Sequence, residues 1–246
     1  MTETAAVRSP QPYARVCGAL YLYIIAAGMF AELAVRSKLV VAGDAAATAA
    51  NILADETLFR LGFSAELLHL AFDALIAALL WTLLRPVDRT LALVAAFTRL
   101  ACDIVLAVAS LSHFAALRLL QGADYLPGLD EAGRQSLALL ALRLHGDGYS
   151  ISLVFFAFTC LALGVLVARS GFLPKWIGRL LFVAGLCYLV MSFAHFLAPE
   201  LGGRLFPVLF VPILAAEASF TLWLLIRGVD EEKWQTLARE RGAQLR

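Results

Sequence analysis

Apolar residues in this chain gather into long runs of similar length, separated by short polar breaks. The runs cover 16–35, 62–84, 90–111, 150–167, 177–197 and 205–226, and the fourth has a helical lead-in from 135. Each is close to the roughly 20 apolar residues that cross a bilayer as one helix. The pattern predicts an all-α, polytopic transmembrane bundle of about six helices, forming a single integral membrane domain over 1–246. Between the first two runs, Gly43-Asp44 precedes an alanine-rich stretch, which predicts a short extra helix in that loop. The charged tail, 227–246, places Asp230, Glu231 and Glu232 where acids favour a helix start, so a solvated helix is expected there. The first run resembles a secretory leader, with Arg8 and Arg15 before it, but Ala34-Val35-Arg36 is no small-residue cleavage site. It is read as an uncleaved anchor.

Composition strengthens this reading. Of 246 residues, 61% are hydrophobic and 16% charged, and mean hydropathy is +0.82. Soluble domains hold about 45–50% apolar and about 25% charged residues. A formal net charge of +1 gives no basic field for nucleic acid, and no glycine-rich phosphate loop occurs. Cys17, Cys102, Cys160 and Cys187 all lie inside apolar runs at unrelated spacings, as buried small hydrophobes do.

The breaks orient the chain. Arg85, Arg89, Arg169, Lys175, Arg179, Arg227 and the tail cations share one side with Arg15, whereas the other side holds the smaller set led by Arg36, Lys38 and Arg60. The positive-inside bias then puts both termini in the cytoplasm, in a bacterial inner membrane. The short inner breaks, 85–89 and 169–175, predict two tight antiparallel helix hairpins.

Ionisable residues inside spans are costly, by roughly 2.5–3.5 kcal/mol each on insertion scales, and here they recur at helical spacing. Glu66, His69 and Asp73 share one stripe of the second span, and Arg99, Asp103, Ser110 and His113 one stripe of the third. His145, Tyr149, Ser152 and Thr159 follow in the fourth, Tyr188, Ser192 and His195 in the fifth, and Glu217 in the sixth, with Glu32 ending the first. At about 1.5 Å of rise per residue, Asp73, Asp103 and Glu217 fall near the midplane. Glu32, Glu66, His69, His113, His145 and His195 fall in the outer third. Converging stripes predict a polar funnel that opens outward, with His69, Asp73, His145 and His195 lining one cavity. Arg99, Asp103 and Glu217 are expected as one buried charge cluster, which would serve helix packing equally well. In His145-Gly146-Asp147-Gly148, the glycines are expected to break the lead-in helix, with Asp147 capping the span that follows. Ser110 with His113 and Ser192 with His195 form a weak echo, a Ser and a His three apart near the outer end of two spans.

Several of these residues carry a resemblance. Phe97-Thr98-Arg99-Leu100-Ala101-Cys102-Asp103, His145 opening the fourth span, the inner loop Ser170-Gly171-Phe172-Leu173-Pro174-Lys175-Trp176-Ile177-Gly178, and Glu217 followed by Trp223 occur in that order. In these the chain resembles the bacterial integral membrane family called domain of unknown function 4386. The resemblance implies the multi-pass architecture and no particular reaction.

Function therefore rests on the polar residues. His69, Asp73, His145, Asp103, Glu217 and Arg99 are the candidates for acid/base chemistry, because burial tunes a carboxylate beside an imidazole. His69, Asp73, His145 and His195 are the candidates for a divalent metal with one open position. The partners expected are membrane lipid and a small apolar or lipid-like ligand. Two other classes fit the same residues: a proton-coupled transporter using Asp103, Glu217 and Arg99, and a structural or sensory protein whose polar core only fixes helix packing.

Overall fold

A computed structural model of the chain describes residues 9–122 and 128–244. The described residues form eight helices and no strand. They are α1 (Gln11–Leu39), α2 (Ala45–Ala54), α3 (Glu56–Leu84), α4 (Arg89–Leu120), α5 (Glu131–Ser170), α6 (Lys175–Leu197), α7 (Pro199–Ile226) and α8 (Glu231–Gln244). All but α2 and α8 are long and apolar enough to cross a membrane, and the protein is a multi-pass α-helical membrane protein. Within α1, Ala31–Arg36 is a π-helical section.

The helices outrun the apolar stretches that announce them. At 40 residues, α5 is about 60 Å long, roughly twice the hydrocarbon thickness, and joins the lead-in and the fourth span into one rod. The expected break at 146–148 does not occur: the helix runs through both glycines, and Asp147 is an interior residue, not a cap. Pro207 and Pro212 likewise lie inside α7. As expected, α2 starts at a cap, the Asp44 carboxylate accepting from Ala47 N at 2.9 Å.

Backbone proximity groups the chain into two compact units, and α1, α3, α4 and α5 each contribute part of their length to both. The first comprises Met1–Leu22, Ala74–Leu100 and Leu153–Arg246. Here α5 and α6 touch through glycine. A Cβ on Gly178 would lie 2.5 Å from Ala168 N, and one on Gly164 2.7 Å from Phe182 N. Small residues let membrane helices approach this closely. The tail does more than sit in solvent. Trp234 of α8 is buried and its Nε1 donates to Leu83 O at 2.8 Å, while Gln11 Nε2 donates to Val229 O at 2.6 Å. The buried ring and its hydrogen bond dock an otherwise charged helix, and Arg241 Nη2 adds a bond to Val87 O at 3.4 Å.

The second unit comprises Tyr23–Asp73 and Ala101–Ser152. Its core joins Val35 and Leu39 of α1, Ile52 of α2, Phe59 of α3, Ala116 and Leu117 of α4, and Ala138 and Ala141 of α5. Polar clips hold α2 in place. Thr48 Oγ1 accepts from Val41 N at 3.0 Å, and the Lys38 ammonium lies 2.8 Å from Asp55. That hydrogen bond holds the Asp55 carboxyl below the usual carboxylate range.

Candidate functional site

Three helices of the second unit deliver polar side chains to one point. From α3 comes Glu66, two turns after Phe59 on the face that also carries Phe63. From α4 come Ser110 and His113, one turn apart on the stripe that continues to the core residue Leu117. From α5 comes His145, one turn beyond the core residue Ala141. The apolar anchors next to each polar residue fix the rotation of its helix, which is what aims the four groups inward.

The Glu66 carboxylate organises the group. Its Oε2 lies 3.2 Å from His113 Nδ1 and its Oε1 2.9 Å from His145 Nε2, so each oxygen has its own imidazole. Ser110 Oγ also hydrogen-bonds Oε1 and stands 2.8 Å from Leu106 O. A hydroxyl has one proton, so it donates to one of these acceptors at a time. The side chains of Glu66, His113 and His145 are 12%, 12% and 6% exposed. The two imidazole centroids are 4.8 Å apart, and the His113 ring is edge-on to Phe59 at 4.7 Å and to Phe63 at 5.8 Å. Among the described residues, Glu66, His113 and His145 each offer a metal-ligating atom, all within 4.8 Å of one another.

Gly148 is the backbone device behind this closeness. A Cβ there would overlap the Cβ of Ala109, so glycine lets α5 lie against α4 one turn from His145. In a helix interior glycine costs roughly 0.5–1 kcal/mol relative to alanine. Here that cost sets the spacing of the site.

The family model described as Domain of unknown function (DUF4386) matches residues 16–228. The chain belongs to this family. The matched stretch contains all four groups of the site. An uncharacterized protein of Archaeoglobus fulgidus is 35% identical over 77 residues, which is 30% of this chain and 43% of that relative. The chain thus spans less than half the length of that relative. No solved structure matches it.

For this family member the structure places the sequence candidates as follows. His145 belongs to the group. His69 and Asp73 continue the stripe of α3 beyond Glu66, the first half-buried and the second buried, and Asp103 is buried on α4. None of these three is among the ligand-bearing atoms that meet. His195 belongs to the first unit and is exposed, its ring against that of Phe196. Arg99 and Glu217 are also in the first unit. Arg99 is 1% exposed, its guanidinium lies 4.6 Å from the Tyr21 ring centroid and 5.2 Å from that of Phe156, and it donates to Tyr21 Oη at 3.2 Å. Glu217 accepts from Tyr188 Oη.

Glu66, Ser110 and His113 stand on the stripes read from the sequence, yet they were not among the candidates drawn from them. The signal that singles them out is depth. Counted by rise per residue, Glu66, His113 and His145 share the end of their helices remote from the 85–89 and 169–175 turns, whereas Asp73 lies roughly 10 Å nearer those turns than Glu66.

Proposed function

We propose that this protein is a membrane-embedded enzyme that performs acid/base chemistry on a lipid-like molecule. The single observation that carries the reading is a nearly buried carboxylate holding one imidazole on each oxygen, with a serine hydroxyl on the oxygen it shares with His145. A carboxylate that fixes an imidazole beside a hydroxyl is the constellation that orients a general base. Packing alone does not call for four polar groups at one point, because each must be desolvated to get there. His69, Asp73 and Asp103 continue the same stripes, and we assign them to the floor of the site.

The Lys/Arg bias supports a bacterial inner membrane with both termini cytoplasmic. Counted from the inner ends of their helices, Glu66, Ser110, His113 and His145 lie about 27–38 Å along, close to the far edge of an approximately 30 Å hydrocarbon layer. A site at that depth takes the head-group end of a lipid from the outer leaflet, with water at hand.

The test is turnover. Protein reconstituted into vesicles of phosphatidylethanolamine, phosphatidylglycerol and cardiolipin is expected to convert a component, read by mass spectrometry. Glu66→Gln and His145→Gln should lower the rate about 100-fold or more, and Ser192→Ala should leave it unchanged. Unaltered lipid, or wild-type rates in the Glu66 and His145 variants, would overturn the reading. A proton-coupled carrier is the second reading, favoured by the fully buried Arg99 and the Tyr188–Glu217 hydrogen bond of the first unit. It requires proton flux that Glu217→Gln abolishes.

A further inference from the structure

We infer that Glu66, His113 and His145 are the protein ligands of one divalent transition-metal ion, of the zinc class, with a fourth position open to water or substrate. The inference rests on the reading of this cluster as the working site, and names the ion that works there.

Donor geometry comes first. Zinc binds imidazole nitrogen and carboxylate oxygen at about 2.0–2.2 Å, so adjacent ligand atoms of a tetrahedral site lie about 3.3–3.5 Å apart. The carboxylate–imidazole contacts are 3.2 and 2.9 Å, and all three ligand atoms fall within 4.8 Å of one another. Lengthening the two short contacts by a few tenths of an ångström and drawing the widest-spaced donors together by about 1 Å opens a coordination centre, and side-chain torsions supply both. The donor set comes next. Two imidazoles and one carboxylate suit zinc, iron, cobalt or nickel, whereas magnesium and calcium take oxygen ligands almost exclusively. Two histidines and a glutamate with one vacancy is a set that catalytic zinc uses.

The surroundings complete the case. The ligands come from three long helices, whose rigidity holds a site more precisely than loops do. Ser110 hydrogen-bonds the ligating carboxylate, as an outer-shell partner does to fix a ligand's orientation. Phe59 and Phe63 wall the His113 ring, shielding one side of the centre from solvent.

The experiment uses full-length protein without a histidine tag, purified in detergent and reconstituted in nanodiscs. After equilibration with zinc and desalting, elemental analysis is expected to find about one zinc per chain. Glu66→Gln, His113→Gln and His145→Gln should each retain less than a tenth of that. His195→Ala should keep all of it, and Ser110→Ala should bind about 10–100-fold more weakly. Elution and melting profiles verify that each variant is folded. Cobalt in place of zinc gives a second readout, visible bands of a four- or five-coordinate ion that the same three substitutions remove. Absence of zinc from folded wild type, or equal zinc in the wild type and the three variants, overturns the inference. The two readings fail separately. Lipid turnover by metal-free protein sinks the metal and keeps the enzyme, and stoichiometric zinc with no turnover does the reverse.

Discussion

At the scale of single residues, Arg99 shows how a cation can be buried in an apolar bundle. Its guanidinium lies over the rings of Tyr21 and Phe156 and donates to the Tyr21 hydroxyl. A weakly hydrated, planar cation is suited to that environment, and lysine would not be. Tyr21→Phe keeps the ring and removes the acceptor, so it should cost about 1.5–3 kcal/mol in reversible unfolding in micelles. Tyr21→Leu, which also removes the ring, should cost roughly 2 kcal/mol more. Equal losses would show that the ring contact contributes nothing.

At the scale of elements, glycine rather than any charged residue sets the helix spacing. Gly148→Ala would drive a methyl into Ala109, and overpacking of this kind costs about 1–3 kcal/mol. It should also move His145 away from Glu66 and so lower turnover. Ala109→Gly in the same chain restores the space and should recover both stability and turnover. A double variant no better than Gly148→Ala would count against the close approach. The same reasoning applies to α8. Trp234→Ala removes a buried ring and the bond to Leu83 O, so it should cost about 3–5 kcal/mol and expose the tail to limited proteolysis. Resistance equal to wild type would mean that α8 is held by other contacts.

At the scale of the whole molecule, the topology can be measured directly. In a background lacking the four native cysteines, Ser37→Cys and Glu131→Cys should react with an impermeant maleimide from outside intact cells, and Asp88→Cys only after permeabilisation. The reverse pattern would invert the protein and carry the proposed site to the cytoplasmic leaflet. The two compact units also hold different polar groups. One holds the Glu66–Ser110–His113–His145 group, and the other holds Arg99, Tyr21, Tyr188 and Glu217. Of the three residues expected as one charge cluster, Arg99 and Glu217 fall in the first unit and Asp103 in the second.

The sequence by itself determined the six long helices, the short α2 with its Asp44 cap, and the stripes on which polar residues lie. These are local properties, because run length and helical period need no knowledge of neighbours. It did not determine where helices end or which stripes meet. Gly146 and Gly148 look like a break, yet α5 passes through them, and at Gly148 contact with Ala109 of α4 compensates for glycine's low helix propensity. The Ser-His echo makes the same point more sharply. Ser110 with His113 and Ser192 with His195 have the same spacing on apolar helices, but His113 lies against Glu66 and His195 is exposed beside Phe196. Spacing is fixed along one helix. Whether an imidazole joins a nearly buried polar group depends on the rotation and separation of other helices, which distant apolar and glycine contacts decide.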